Sequence, residues 1–121
     1  MRVLVVDDNC DAAISLSMLV ELLGHEVRTA YDGVEAVAVA GEFQPTVVLL
    51  DLGMPKMDGY ETCRRLRALP WGVDMAIVAV TGWGREDDRH KTQLAGFDHH
   101  LVKPVAPDVI ERTLGDLAPT S

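Results

Sequence analysis

Two cysteines, Cys10 and Cys63, in 121 residues are too few for a disulfide framework or a four-cysteine zinc site. Positive charge is also scarce. Eleven Lys and Arg stand against nineteen Asp and Glu, a net charge of −8, so the chain has no phosphate-neutralising excess and direct binding to nucleic acid is not expected. No apolar run approaches the ~20 residues a membrane-spanning helix needs. No Gly-x-Gly-x-x-Gly or Gly-Lys-Thr loop follows an apolar run, which argues against a nucleotide-binding module. The opening residues Arg2–Val6 are strand-like and lack the layout of a signal peptide. What remains is the composition of an ordinary globular protein, with 48% hydrophobic, 25% charged and 5% aromatic residues. A chain of this length removes about two-thirds of its unfolded surface from water and needs no metal or disulfide to fold. The expectation is one acidic domain over residues 1–121, ending in a short tail at 118–121, of cytoplasmic type, acting on a small molecule or another protein.

Four short apolar runs each end in polar residues: Val3–Val6 before Asp7 and Asp8, Val47–Leu50 before Asp51, Ala76–Val80 before Thr81, and Leu101 and Val102 before Lys103. Continuous Val- and Leu-rich runs of this length predict strands buried on both faces, as in a parallel sheet. Glu26–Ala30 is a fifth, weaker strand. Between them lie helical patterns. Asn9 or Asp11 can cap a helix with apolar positions Ala13, Leu16, Val20 and Leu23 that ends at Gly24. Gly33–Ala40 predicts a short helix closed by Gly41. Tyr60, Cys63 and Leu66 mark one face of a third, and Arg85–Ala95 a fourth with acids in its first turn. The last starts near Pro107 and carries Val109, Ile110, Leu114 and Leu117. Strict strand–helix alternation predicts an α/β fold, a parallel sheet with right-handed crossovers and helices on both faces.

In such sheets the site forms beyond the carboxyl ends of the strands, where strand order reverses. Here those ends carry Asp7, Asp8, Asp51, Thr81 and Lys103. Three converging carboxylates repel one another unless a cation offsets them, and an all-oxygen set that keeps several waters suits Mg²⁺ better than Zn²⁺. An aspartate beside such an ion can attack a phosphoryl donor, a reaction that demands mainly positioning and charge neutralisation. Thr81 is placed to bond one phosphoryl oxygen and Lys103 to neutralise another.

The segments Val5-Val6-Asp7-Asp8-Asn9, Leu49-Leu50-Asp51-Leu52-Gly53-Met54-Pro55-Lys56-Met57-Asp58-Gly59-Tyr60, Val80-Thr81-Gly82 and Val102-Lys103-Pro104, in that order, resemble the receiver domain of two-component response regulators over essentially the whole chain. Gly96–Pro104 further resembles receivers attached to hybrid histidine kinases. The resemblance implies a single-domain flavodoxin-like (βα)5 three-layer sandwich with strand order 2-1-3-4-5. It implies that Asp51 takes a phosphoryl group from a histidine kinase or histidine phosphotransfer protein, with catalysis confined to the protein's own phosphorylation and dephosphorylation. Asp7, Asp8, Asp51 and the backbone carbonyl of Gly53 would hold Mg²⁺ (or Mn²⁺), and the Lys103–Pro104 bond would be cis. Phosphorylation would move Thr81, then the switch residue His100 and the polar 85–95 helix, and so signal to a downstream protein. An alternative is a phosphate-shuttle receiver cut from a hybrid kinase. An aspartate-nucleophile phosphatase fits less well, because Gly53 stands where its second Asp is needed.

Two positions depart from the commonest receiver pattern. The family's inward-swinging aromatic is replaced by His100, a polar group that titrates near neutral pH. Trp83, two residues after Thr81, is expected to shield the acyl phosphate, with Gly53 leaving the other side bare. Adjacent strand residues point to opposite faces, so His99 and His100 are not expected to share an ion. Cys63 is expected in the core, while Cys10 is ambiguous; His25 and His90 are expected to be exposed. Arg64, Arg65 and Arg67 form a basic cluster that reads as a solvated face or a docking patch. Ile14, Met18 and Leu22 make a second apolar line on the first helix, either extra core or the contact for a phosphotransfer helix bundle.

Overall fold

The computed structural model describes residues 1–52, 59–70, 72, 74–81, 96–103 and 105–117. Five strands, β1 (Arg2–Val6), β2 (Glu26–Ala30), β3 (Val47–Asp51), β4 (Ala76–Thr81) and β5 (His99–Val102), form one sheet in the order β2-β1-β3-β4-β5. All neighbours are parallel, with Val5 opposite Thr29 and Leu49, Leu49 opposite Val78, and Val80 opposite Leu101. The described helices are α1 (Cys10–Leu22), α2 (Gly33–Phe43), α3 (Gly59–Arg67) and α4 (Pro107–Leu117). The expected 85–95 helix, Gly53, Trp83, His90, Pro104 and the 118–121 tail lie outside the described residues.

The period-2 alternation of the strands divides the core into two layers. Val3, Val5, Val47, Leu49, Val78 and Val80 pack under α1 and α4, against Ala13, Val20, Ile110 and Leu114. Leu4, Val6, Val48, Leu50, Ile77 and Ala79 face the other way, onto α2 and α3, where they meet Ala36, Ala40, Cys63 and Leu66. Each fully buried Val or Leu is worth about 1.5–3 kcal/mol. The three central strands therefore anchor the sheet, and their ends form a firm base for the polar residues that follow.

Local signals explain most boundaries. Asn9 caps α1 by accepting from the Ala12 N–H, and Asp11 falls in the first turn instead. Gly24 has φ +94, the left-handed conformation that favours glycine. Two expectations need correction. Gly41 does not close α2: the helix runs to Phe43, whose ring is buried, and ends at Gln44 with φ 50. Burial of that ring extends the helix past a glycine that could have stopped it. The run at Leu101 and Val102 is not buried on both faces, since β5 is an edge strand with Val102 exposed. The other edge, β2, is half-exposed along its length, which is why its pattern was the faintest of the five.

Candidate functional site

β1 and β3 are adjacent, and the chain leaves them in opposite directions, to β2 on one side and β4 on the other. This reversal places Asp7 and Asp8, just past β1, beside Asp51 at the end of β3. One carboxylate oxygen from each lies within 4.8 Å of the other two. Asp7 and Asp51 are buried, 6% and 9% exposed, whereas Asp8 faces solvent. Asp7 is held by local backbone: its N–H donates to the Ala30 carbonyl at 3.1 Å, and its Oδ1 accepts from the Asn9 N–H at 3.0 Å.

Lys103 enters from the far side of the sheet. Its N–H donates to the Thr81 carbonyl at 2.7 Å, fixing the turn after β5. Its Nζ then donates to Asp7 Oδ2 at 2.9 Å and lies 3.7 Å from Asp51 Oδ2. Burial is the largest single influence on this ammonium and acts to lower its pKa. The hydrogen bond to Asp7 and the charges of Asp51 and Asp7 together outweigh it, so Lys103 is held above its ordinary range and stays cationic. One ammonium against three carboxylates leaves the cluster net negative, with hard oxygen donors on one side. The donor set fits a divalent cation such as Mg²⁺, which takes one or two carboxylates and keeps several waters. The cluster opens into a cleft of about 550 Å³ that continues beneath α1 past Leu16, Leu19 and Val105.

Thr81 is 2% exposed, and its Oγ1 lies 3.0 Å from Nε2 of His100. His99 on the same strand is exposed. The structure therefore brings together Asp7, Asp8, Asp51 and Lys103, and joins Thr81 directly to His100. Gly53, Trp83 and Pro104 lie outside the described residues.

Other side chains sort differently from the sequence reading. Cys63 is buried as expected, and burial pushes its thiol up to about 11; Cys10 is exposed. His25 is not exposed but half-buried, with Nδ1 3.2 Å from the Met1 amine, and burial followed by that positive charge lowers its pKa. The three arginines do not form one patch. Arg64 and Arg65 pair with Glu61 at 2.7 and 3.1 Å on the surface. Arg67 turns inward: it donates to the carbonyls of Gly72, Met75 and Gly96 and to the Asp98 carboxylate, which also accepts from the Ile77 N–H. Sequence reading missed this junction between α3 and the start of β5. Its only trace is an acid, Asp98, just before a strand. Ile14, Met18 and Leu22 are 48%, 59% and 84% exposed, so the second apolar line of α1 is not core.

Gly59 marks a further constraint near Asp51. A Cβ there would lie 2.7 Å from Leu52 Cα and 3.0 Å from the Asp51 carbonyl oxygen, so only glycine lets α3 start this close to the end of β3.

Residues 3–114 match the family model described as the response regulator receiver domain, and the chain belongs to that family. It is 37% identical over 105 residues to the DNA-binding dual master transcriptional regulator RpaA of Synechocystis, covering 85% of this chain but 43% of that regulator. Among solved structures it superposes on the chemotaxis protein CheY4 of Vibrio cholerae with a TM-score of 0.91 and 30% identity, covering 97% of this chain and 98% of that one. It also superposes on the receiver domain of the sensor histidine kinase PA1611 of Pseudomonas aeruginosa, at a TM-score of 0.87 and 29% identity over 96% and 95% of the two chains. In that structure a magnesium ion is coordinated in the active-site cleft. As a receiver domain, the chain serves two-component signalling. No helix among the described residues is long and apolar enough to cross a membrane.

Proposed function

We propose that Asp51 is the phosphoacceptor of this domain. The observation that carries the reading is the convergence of Asp7, Asp8 and Asp51 within 4.8 Å, with Lys103 bonded across them. In the transfer, a carboxylate oxygen of Asp51 forms a bond to phosphorus as the phosphorus–nitrogen bond of a donor phosphohistidine breaks, and the departing imidazole takes up a proton. Asp7, Asp8, Asp51 and the Gly53 carbonyl would hold Mg²⁺ (or Mn²⁺), which would supply positive charge against the incoming phosphoryl oxygens. Lys103 neutralises a second oxygen, and the Thr81 hydroxyl donates to a third. The donor is a histidine kinase or a histidine phosphotransfer protein, and the exposed line Ile14, Met18 and Leu22 along α1, the helix that starts just past Asp8, is its contact surface. Phosphorylation then shifts the population of the Thr81 and His100 conformations, which a downstream protein in the cytoplasm reads. Asp51→Asn is expected to abolish labelling by acetyl phosphate with Mg²⁺. Stoichiometric labelling that persists in this variant overturns the assignment.

The likeness to the PA1611 receiver supports a second setting for the same chemistry, a phosphate shuttle within a hybrid histidine kinase. The full reading frame of the gene distinguishes this from a free-standing regulator.

A further inference from the structure

Thr81 and His100 come from neighbouring strands, and the small Ala79 opposite His100 leaves room for the imidazole to reach along the strand to Thr81. The resulting Oγ1···Nε2 separation of 3.0 Å is a hydrogen bond, whichever group donates. A threonine hydroxyl carries one proton, so it can donate once. When Nε2 is bare, the Thr81 proton is drawn to the imidazole, and an anionic oxygen arriving at Thr81 meets lone pairs. When Nε2 carries hydrogen, the ring donates to Oγ1 and the Thr81 proton is free to point at that oxygen. An aromatic hydrocarbon at position 100 could do neither.

We propose that His100 is a positioning residue for the phosphoryl group, because its Nε2 sets the direction in which the Thr81 hydroxyl proton points. This rests on the reading of Asp51 as phosphoacceptor. The protonated ring always places a donor on Oγ1, whereas the neutral ring does so only in its Nε2–H tautomer, so the phosphorylated state and the protonated ring favour each other. By linkage the effect is reciprocal: protonation tightens the hold on the phosphoryl group, and the phosphoryl group makes the ring harder to deprotonate. The described charged groups around this end of the sheet are largely engaged elsewhere. Lys103 is tied to Asp7 and Asp51, and Arg64 and Arg65 to Glu61 near the start of α3, while Arg67 and Asp98 pair at the opposite end of the sheet, where β4 and β5 begin. On α4, Asp108 lies 3.7 Å from Arg112, while Asp8 and His99 face solvent.

The test uses beryllofluoride with Mg²⁺ as a stable phosphoryl analogue, its affinity measured by calorimetry from about pH 6 to pH 8. The parent protein is expected to bind roughly five-fold tighter at the acid end, in line with modest coupling between two sites. His100→Phe should show a flat profile. His100→Gln, whose amide can donate to Oγ1 but cannot titrate, should bind as tightly as the parent does at low pH, at every pH. In parallel, the NMR titration midpoint of His100 in the parent protein should rise when beryllofluoride binds. A parent profile with the same slope as His100→Phe, or an unchanged His100 midpoint, overturns the proposal. Absence of beryllofluoride binding by the parent at every pH overturns instead the reading of Asp51 beneath it.

Discussion

Replacing Asp8 with Asn removes one of three carboxylates whose oxygens lie within 4.8 Å of one another, while keeping the shape of the side chain. At that separation two like unit charges repel by about 1 kcal/mol in bulk water and roughly 3 kcal/mol at the effective dielectric of a protein surface. Asp8 is solvent-exposed, so the lower figure applies to each of its two pairs, and Lys103 offsets part of the sum. The metal-free variant is therefore expected to be more stable than the parent by about 1–2 kcal/mol, seen as a later urea midpoint with an unchanged slope. Mg²⁺ should narrow the advantage by about 1 kcal/mol or more. A ligand bound only by the folded state adds about 1.4 kcal/mol at ten times its Kd. A variant missing one carboxylate should lose at least about ten-fold in Mg²⁺ affinity and so gain little at the same concentration. Urea unfolding of both proteins in chelator and in Mg²⁺ gives the four free energies needed. The reasoning fails if Asp8→Asn is less stable than the parent in chelator, or if Mg²⁺ stabilises both proteins equally.

Two other side chains make independent predictions. Arg67→Met strips hydrogen bonds from the carbonyls of Gly72, Met75 and Gly96 and from Asp98, and should cost about 2–3 kcal/mol in urea unfolding. Arg67→Lys should recover only part of this, since one ammonium cannot span that fork of acceptors; a loss below about 0.5 kcal/mol in Arg67→Met would refute the junction. Burial pushes the Cys63 thiol from 9.0 to about 11, so at pH 8 a thiol reagent should label the exposed Cys10 quickly and Cys63 only on unfolding. Because the folded-state value is the higher one, stability from Cys63 is intact below about pH 9 and lost as pH rises toward about 11. Cys63→Ser should flatten that alkaline decline.

The parts of this protein legible in its sequence are those set by short-range physics. Val3–Val6, Val47–Leu50 and Ala76–Val80 are continuous aliphatic runs, and a strand buried between two helical layers has little other composition open to it. Asp7, Asp51, Thr81 and Lys103 each close such a run, so their gathering at one edge follows from parallel strands alone. The order β2-β1-β3-β4-β5 does not follow from any run; it was available only through likeness to known receivers. The edge strand β5 and the extension of α2 to Phe43 were misread because both depend on what lies beside them, which no local pattern records.

Tertiary structure alone decided the rest. Lys103 meets Asp7 across 96 residues of chain, and whether it favours Asp7 at 2.9 Å or Asp51 at 3.7 Å is a matter of how two strand ends splay. The pairing of Thr81 with His100 and the inward turn of Arg67, beside two arginines that stay on the surface, are fixed in the same way. Burial and charge along the chain determine that a strand ends in an acid. Which atoms then meet depends on sheet register, twist and neighbouring layers, quantities that come into being only once distant segments have packed.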